Sequence, residues 1–424
     1  MPKAVLSNRI FMEADKPLID KIRKELTYTI PNPNPQGLPI TIRNMGVFKK
    51  GIITMPIGRL DLIPKGYEIV DKRVLQPAEF PEFNGELRPS QQKIYDEIED
   101  NSMINAWVSF GKTFTALAIA GKFKQKTLVV THTIQLREQW VREIEKVYGF
   151  TPGVIGSGRF ETNTPIVVGN IQTLYKVIGK IQKTFGLVIL DEFHHISAAS
   201  FSRVIDKCAA RYKIGLSGTM ARKDGKHVVF RDYFGNNVIK PPAENYMEPE
   251  IHIYNTNFKL PHSYVWANRV TALAENESYQ KVVSAIAAKY VGLGHSVLLV
   301  SDRVKFLQSC ADLIGETAIC ITGEVTDREE LMKLIERKEK KVLCGTQSMF
   351  SEGISINSLS CLILGTPLNN DPLLTQLIGR VIREQEGKLQ PIVVDINLKS
   401  ETAKRQAAQR AGLYLQQGWK IKRI

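Results

Sequence analysis

The sequence predicts an α/β protein made of two tandem domains, each a parallel sheet with helices on both faces, preceded by a small α+β domain. Three observations predict it. At 424 residues the chain exceeds what one hydrophobic core usually organises. From Leu87 onward, short apolar strands alternate with helix-length amphipathic segments, the pattern of a parallel sheet covered on both sides. That alternation fades around Lys240, Pro241 and Pro242 and resumes after Ser263, so it occurs twice with a hinge between.

Residues 1–80 form the accessory domain, with β-rich runs at Val5 to Met12 and Gly51 to Met55. A helix is expected from Pro17 to Leu26, then a loop punctuated by Pro31, Pro33, Pro35 and Pro39. This region holds thirteen Lys and Arg against eight Asp and Glu, and Phe11, Tyr28 and Phe48 are its candidates for base stacking. A fold-stabilising cap is the plainer reading of the same residues. Pro77 to Gly85 reads as a linker.

Residues 86–242 form the first parallel-sheet domain, with strands at Thr127 to Thr131, Gly186 to Leu190 and Ala210 to Leu216. Between the first two lies a helix from Thr133 to Tyr148, with Leu136, Trp140, Ile144 and Val147 on one face. Thr133 is its N-cap and Gly149 its terminator. Residues 250–424 form the second such domain, with strands at Ser296 to Ser301, Ala318 to Ile321, Lys341 to Cys344, Cys361 to Leu364 and Ile392 to Asp395. From Lys399 the chain carries seven basic residues against the single acid Glu401, a basic helix that reads equally as a solvated face and as a nucleic-acid contact.

Composition bounds the function. Hydrophobic residues at 43% and charged residues at 24% exclude a disordered chain. No apolar run reaches the roughly eighteen residues of a membrane span, and no signal-peptide pattern opens the chain, so a cytosolic protein is expected. The cysteines, Cys208, Cys310, Cys320, Cys344 and Cys361, form no C-x-x-C pair and read as buried free thiols. A net charge of +14 favours a polyanionic partner, because basic side chains on phosphates release condensed counterions.

Two motifs carry chemistry. In Ala106 to Thr113, between an apolar segment and a helix rich in Ala and Leu, the backbone N–H groups of Val108, Ser109, Phe110 and Gly111 can cradle a triphosphate. Lys112 can neutralise its β and γ phosphates, and Thr113 can bind Mg²⁺. Ala106 stands where such loops begin with glycine, and Ser109 and Phe110 where small residues are usual. Further on, the apolar strand Leu187 to Leu190 runs into Asp191-Glu192-Phe193-His194. Asp191 at that strand end can reach the Mg²⁺ of Thr113, and Glu192 can orient or deprotonate a water. His194 and His195 are no metal pair, since adjacent residues on an extended chain point to opposite faces.

These motifs, in this order, resemble the superfamily-two DExH helicases of the XPB/UvsW-like branch, over roughly Leu87 to Asp395. The resemblance implies two RecA-like domains that hydrolyse ATP with Mg²⁺. Leu87 to Gln91 resembles the adenine-recognition motif, which implies that Gln91 reads the base and Arg88 supports it. Thr131, Arg137, Gln172 and Thr173 lie in stretches similar to the strand-contacting motifs. Ser217-Gly218-Thr219 resembles the motif coupling hydrolysis to movement, with Gly218 as a departure, and Arg222 to Gly225 is also typical of the branch. Thr322, Gly323 and Thr346 resemble the second domain's strand-gripping loops, and Glu352-Gly353 its nucleotide sensor.

Gln376 to Arg383 resembles the Q-x-x-G-R-x-x-R signature, whose helical spacing would put Gln376, Arg380 and Arg383 on one side. The resemblance further implies DNA as partner, branched DNA for the phage-type members, and a location in the cytoplasm, or the host cytoplasm for a phage. Movement along double-stranded DNA without strand separation, and action on RNA, are its alternatives. His262, Tyr264 and Trp266 could form a strand-separating wedge, with interdomain packing as the plainer reading. No protein partner is implied.

Overall fold

The computed structural model describes residues 1–30, 32, 37–48, 51–107, 110–193, 203–218, 226–242, 244, 246–263, 265–323, 325, 328–351 and 356–424. The chain divides into two compact units, Met1–Ala243 and Glu244–Ile424.

The first unit contains two larger sheets. Near the N-terminus, five strands run in the order Gly46–Val47, Ile52–Pro56, Arg9–Glu13, Lys3–Leu6, Glu68–Asp71. Their pairing is antiparallel except for the parallel Lys3–Leu6 and Glu68–Asp71 pair. The single β run expected from Val5 to Met12 is therefore two strands, folded back at Ser7 and Asn8. The helix Lys16–Glu25, capped by the Asp15 side chain on the Leu18 N–H, lays Ile22 onto a core with Ala4, Leu6, Ile10, Met12, Ile53 and Met55.

The same unit holds an eight-stranded sheet in the order Arg159–Phe160, Gly153–Gly156, Ile166–Asn170, Thr127–Thr131, Leu187–Asp191, Tyr212–Ser217, Ser102–Asn105, Val238–Ile239. All pairings are parallel except the Gly153–Phe160 hairpin. Every residue of Thr127–Thr131, Ile166–Asn170 and Leu187–Asp191 is buried, as expected for strands covered on both faces. The helix Ile134–Tyr148 has the expected ends: Thr133 Oγ1 accepts from the Leu136 N–H, and Gly149 closes it at φ 72°.

The N-terminal sheet docks on this domain through polar groups. Arg9 pairs with Asp206 at 2.6 Å. Asp232, fully buried, accepts from the Tyr28 hydroxyl and the Asn44 amide at 2.8 Å each, and lies 3.5 Å from the Arg59 guanidinium. Tyr28 is thereby engaged in docking rather than offered for stacking, whereas Phe48 is exposed.

The second unit holds a seven-stranded sheet in the order Ala318–Ile321, Val342–Thr346, Val297–Ser301, Cys361–Leu364, Ile392–Asn397, Glu250–Asn255, Lys420–Arg423, all parallel. The basic tail folds as the helix Glu401–Gln416 followed by the edge strand Lys420–Arg423, which the sequence did not suggest. Arg410 is buried in that helix, with both side-chain oxygens of Asp395 accepting from it at 2.7 and 2.8 Å. This arginine anchors the helix, and the exposed basic face is correspondingly smaller. The five cysteines are free thiols, four buried and Cys320 partly so. Trp266 packs against the core of this unit, while Tyr264 lies outside the described residues. Among the described residues, no helix is long and apolar enough to cross a membrane.

Candidate functional site

Parallel pairing brings the motif residues of the first unit to one edge. Asn170 is paired with Thr131, Asp191 with Leu216 and Ser217 with Asn105, so the carboxyl ends of five neighbouring strands and the loops after them line up. Ligands in open α/β sheets bind at this edge. Immediately after Ser102–Asn105 the chain enters the phosphate loop and then the helix Lys112–Phe123, whose first N–H groups are unsatisfied by helix geometry and suit an anion. Gly111 enters that helix at φ 83°, and a Cβ there would lie 2.7 Å from the Gln91 side-chain nitrogen. Glycine fits on both counts.

Phe110, unusual in such a loop, is buried in the core beside Ala116 and Leu117, so it anchors the loop rather than lining it. Its carbonyl accepts from the Gln91 amide at 2.9 Å and from the Arg88 guanidinium. Gln91 in turn accepts from the Arg88 N–H at 3.0 Å. The stretch from Leu87 to Gln91 is thus tied by hydrogen bonds to the loop that precedes Lys112. Val108 and Ser109 lie outside the described residues, as do His194, His195, Thr219, Arg222 to Gly225, Glu352 and Gly353.

Lys112 Nζ lies 3.3 Å from Glu192 Oε1, and the other carboxylate oxygen, Oε2, accepts from the Gly218 N–H at 3.3 Å. Three separate motifs therefore meet on one side chain. Glu192 sits at φ 44°, a left-handed conformation that costs a non-glycine residue energy and is held by these contacts. Next to it, Asp191 is buried, and the Trp140 indole N–H donates to its Oδ2 at 2.8 Å. Burial, then the neighbouring Glu192 charge, pushes the Asp191 carboxyl up to about 6. Phe193 is fixed edge-on to Phe230 with ring centres 4.6 Å apart.

A divalent cation suits this chemistry. Two adjacent carboxylates, one desolvated, lose their mutual repulsion when a cation is close, and Thr113 in the first turn of the helix adds a hydroxyl oxygen. Mg²⁺ takes few protein ligands and completes its shell with water and phosphate oxygens. It therefore needs no larger group of His, Cys, Asp and Glu, and the described residues contain none.

The strand-contacting candidates divide by exposure. Thr131 and Arg137 are buried. Arg137 donates to Asn170 Oδ1 at 2.8 Å and Ser157 Oγ at 3.1 Å, tying together the loops at the sheet edge. A Cβ on Gly156 would fall 2.5 Å from its guanidinium. Gln172 is exposed and donates to the His132 carbonyl at 2.9 Å, with Thr173 half-buried beside it.

In the second unit, Thr322 and Gly323 follow the strand Ala318–Ile321, and Thr346 ends Val342–Thr346. Gln376 and Arg380 lie on the helix Asp371–Val381, where Arg380 Nε donates to the Phe350 carbonyl at 2.8 Å. Arg383 does not share that helix. The helix stops at Val381 with Ile382 as its cap, because Arg383 turns into a bridge with Tyr246, and its guanidinium reaches Asn357 Oδ1 at 3.4 Å. Burial lowers the proton affinity of Arg383 and takes Lys388, whose ammonium donates to the Arg383 carbonyl at 2.7 Å, down to about 8.

A phosphate loop at a helix N-terminus, with a carboxylate pair at the next strand ends, defines a P-loop nucleoside triphosphatase. Residues 84–222 match the family described as "Type III restriction enzyme, res subunit", and residues 279–385 match "Helicase conserved C-terminal domain". The chain is 44% identical over 429 residues to "Probable helicase D10" of Escherichia phage T5, covering 99% of this chain and 95% of that one. It is 27% identical over 371 residues to a "Putative ATP-dependent RNA helicase" of Acanthamoeba polyphaga mimivirus, covering 82% and 71%. To the "ATP-dependent DNA helicase uvsW" of Enterobacteria phage T4 it is 24% identical over 330 residues, covering 69% and 64%. Among solved structures, S. cerevisiae Dbp5 bound to RNA and ADP BeF3 matches with a TM-score of 0.56 at 13% identity, over 79% of this chain and 89% of that one, a likeness of fold alone. The chain belongs to the superfamily-two helicases of the UvsW/XPB-like type, and it is an ATP-hydrolysing helicase with RecA-like domains.

Proposed function

We propose that this helicase acts on DNA, and on branched DNA such as forks and four-way junctions, using ATP hydrolysis to move along and exchange strands. The observation that carries the motor chemistry is the meeting of Lys112, Glu192 and Gly218 at 3.3 Å contacts. On this reading Gln91 and Arg88 select adenine, and Lys112 leaves Glu192 for the β and γ phosphates when the nucleotide enters. Glu192 is then released to orient the attacking water and take its proton.

Mg²⁺, when bound at Thr113 and Asp191, supplies charge neutralisation between the phosphate oxygens. In the second unit, Gln376, Arg380 and Arg383 are the proposed phosphate-contacting side chains, and Glu352 and Gly353 the proposed nucleotide sensor. Because the Gly218 N–H holds the carboxylate that handles the water, a change at Glu192 is felt at once by the segment Ser217 to Thr219. That segment is the proposed link to the gripping loops of Thr131, Arg137, Gln172, Thr173, Thr322, Gly323 and Thr346. Grip on phosphates gives little sequence preference. The expected domain organisation is 1–80 for branch recognition, 86–242 and 250–424 for the two motor domains, in a cytoplasmic setting.

DNA is favoured by the phage T4 relative named a DNA helicase, while the net charge of +14 suits either nucleic acid. The mimivirus relative, named an RNA helicase, favours RNA as the second reading. Purified protein assayed for ATPase and strand displacement on single strands, linear duplex, forks and four-way junctions, in DNA and RNA versions, tests both. The proposal expects the highest activity on branched DNA. Equal stimulation by RNA, or equal activity on forks and linear duplex, would refute it, and triplex displacement without strand separation would identify a duplex translocase.

A further inference from the structure

The helix Ile134–Tyr148 carries a side chain that the motor chemistry above does not use. Trp140 is fully buried among Val129, Ile144, Val168 and Ile189, yet its indole N–H donates to Asp191 Oδ2 at 2.8 Å. A buried indole needs an acceptor, and any backbone carbonyl would satisfy it. Here the acceptor is the carboxylate of the DExH motif, reached from 51 residues away in sequence.

The identity of the donor matters. Lysine or arginine at this place would neutralise the carboxylate and compete with a metal ion. An uncharged N–H fixes the carboxylate plane through one oxygen and leaves its negative charge available. Outer donors of this kind orient ligating carboxylates and are needed for tight metal binding. The helix is itself held in register. Arg137, one turn before Trp140, bonds Asn170 and Ser157, and Thr133 caps the first turn. The indole therefore sits on a fixed element, with apolar neighbours that exclude competing water.

We propose that Trp140 is a positioning residue for ATP hydrolysis, its indole N–H holding the Asp191 carboxylate in the orientation that receives the divalent cation. This rests on the reading of Asp191 as a cation ligand. The lysine and the water-activating glutamate act on other atoms, so the role of Trp140 is read in cation affinity rather than in nucleotide affinity.

The test uses the full chain with Trp140→Phe, and a second variant carrying benzothienylalanine at position 140, which keeps the bicyclic shape and replaces N–H by sulfur. Binding of Mn²⁺ to the ADP-loaded protein is measured by electron paramagnetic resonance of the free ion, and binding of ADP is measured separately in EDTA. Both variants should bind Mn²⁺ roughly 10- to 100-fold more weakly, with metal-free ADP affinity unchanged within about two-fold. Ile144→Val, a packing change on the same buried face, should leave Mn²⁺ affinity at the wild-type value.

Asp191→Asn separates the two ideas. If it leaves Mn²⁺ affinity unchanged, the ligand reading fails and takes the proposal with it. If it weakens Mn²⁺ binding while the benzothienylalanine variant binds as wild type, Asp191 remains a ligand and the role of the indole N–H is overturned.

Discussion

Replacing Asp232 by alanine should loosen the N-terminal strands from the part of the same unit built on the eight-stranded sheet. Both oxygens of this fully buried carboxylate are used across the junction: Oδ1 by the Tyr28 hydroxyl and Oδ2 by the Asn44 amide, each at 2.8 Å, with the Arg59 guanidinium at 3.5 Å. Two hydrogen bonds to a charged acceptor contribute about 1.5–3 kcal/mol each. Arg59, also buried, keeps its two-pronged pairing with Asp61 at 2.9 and 3.0 Å, so it is not orphaned. Removing a carboxylate whose proton affinity is raised by its own burial returns part of the loss. The net cost should be about 2–4 kcal/mol. Hydrogen exchange in the Lys3–Leu6 and Ile52–Pro56 strands, followed with urea titration, reads it directly. A Tyr28→Phe, Asp232→Ala double-mutant cycle should give a coupling of about 1 kcal/mol or more. A loss below about 0.5 kcal/mol for Asp232→Ala, the range of an ordinary surface substitution, would refute the reasoning.

Asp191→Asn should abolish hydrolysis and yet stabilise the nucleotide-free protein. The folded-state carboxyl is raised from 3.8 to about 6, so its favourable contribution is complete below pH 3.8 and lost as pH rises through about 6. The Asn variant should therefore be more stable than the wild type above pH 6, with the advantage shrinking as pH falls towards 3.8, read from urea midpoints at about pH 7 and pH 4. Arg410→Ala leaves Asp395 buried without its cation and should cost about 3–5 kcal/mol, with the loss of protection concentrated in Glu401–Gln416. An unchanged unfolding midpoint would contradict that anchoring role.

The strands were legible where both faces are buried, because such strands read as unbroken apolar runs: Thr127–Thr131 and Cys361–Leu364 fall where the sequence places them. Edges were legible only in part: the half-buried edge strand Ala318–Ile321 was readable from its apolar letters, and others were not. Lys420–Arg423 has three basic residues in four and reads as a solvated tail, yet Lys420 and Lys422 are complemented by Glu250 on the adjoining strand. Val5 to Met12 continues one alternating pattern through a reversal, since Ser7 and Asn8 interrupt it too briefly to show.

At the site, the residue types and their order were readable, because a phosphate loop and an acidic strand end each need local letters. The connections between them were not. Sequence spacing cannot show that Gly218 bonds Glu192, that Trp140 bonds Asp191, or that Phe110 faces the core. Charge was misleading for a related reason: Arg137, Arg410 and Asp232 look like surface residues in a list of letters and are buried by partners far along the chain. Arg383 left its expected helical face because backbone pairing with Tyr246 ends the helix first.

The measurement closest to the central claim is steady-state ATP hydrolysis, with and without DNA, by the wild type, Lys112→Ala and Arg383→Ala. DNA should stimulate the wild type, and both variants should lose that stimulated turnover, the arginine change by about 10³-fold or more. Strand-stimulated hydrolysis that survives in both variants would show that neither the phosphate-loop lysine nor the arginine of the second unit serves the reaction.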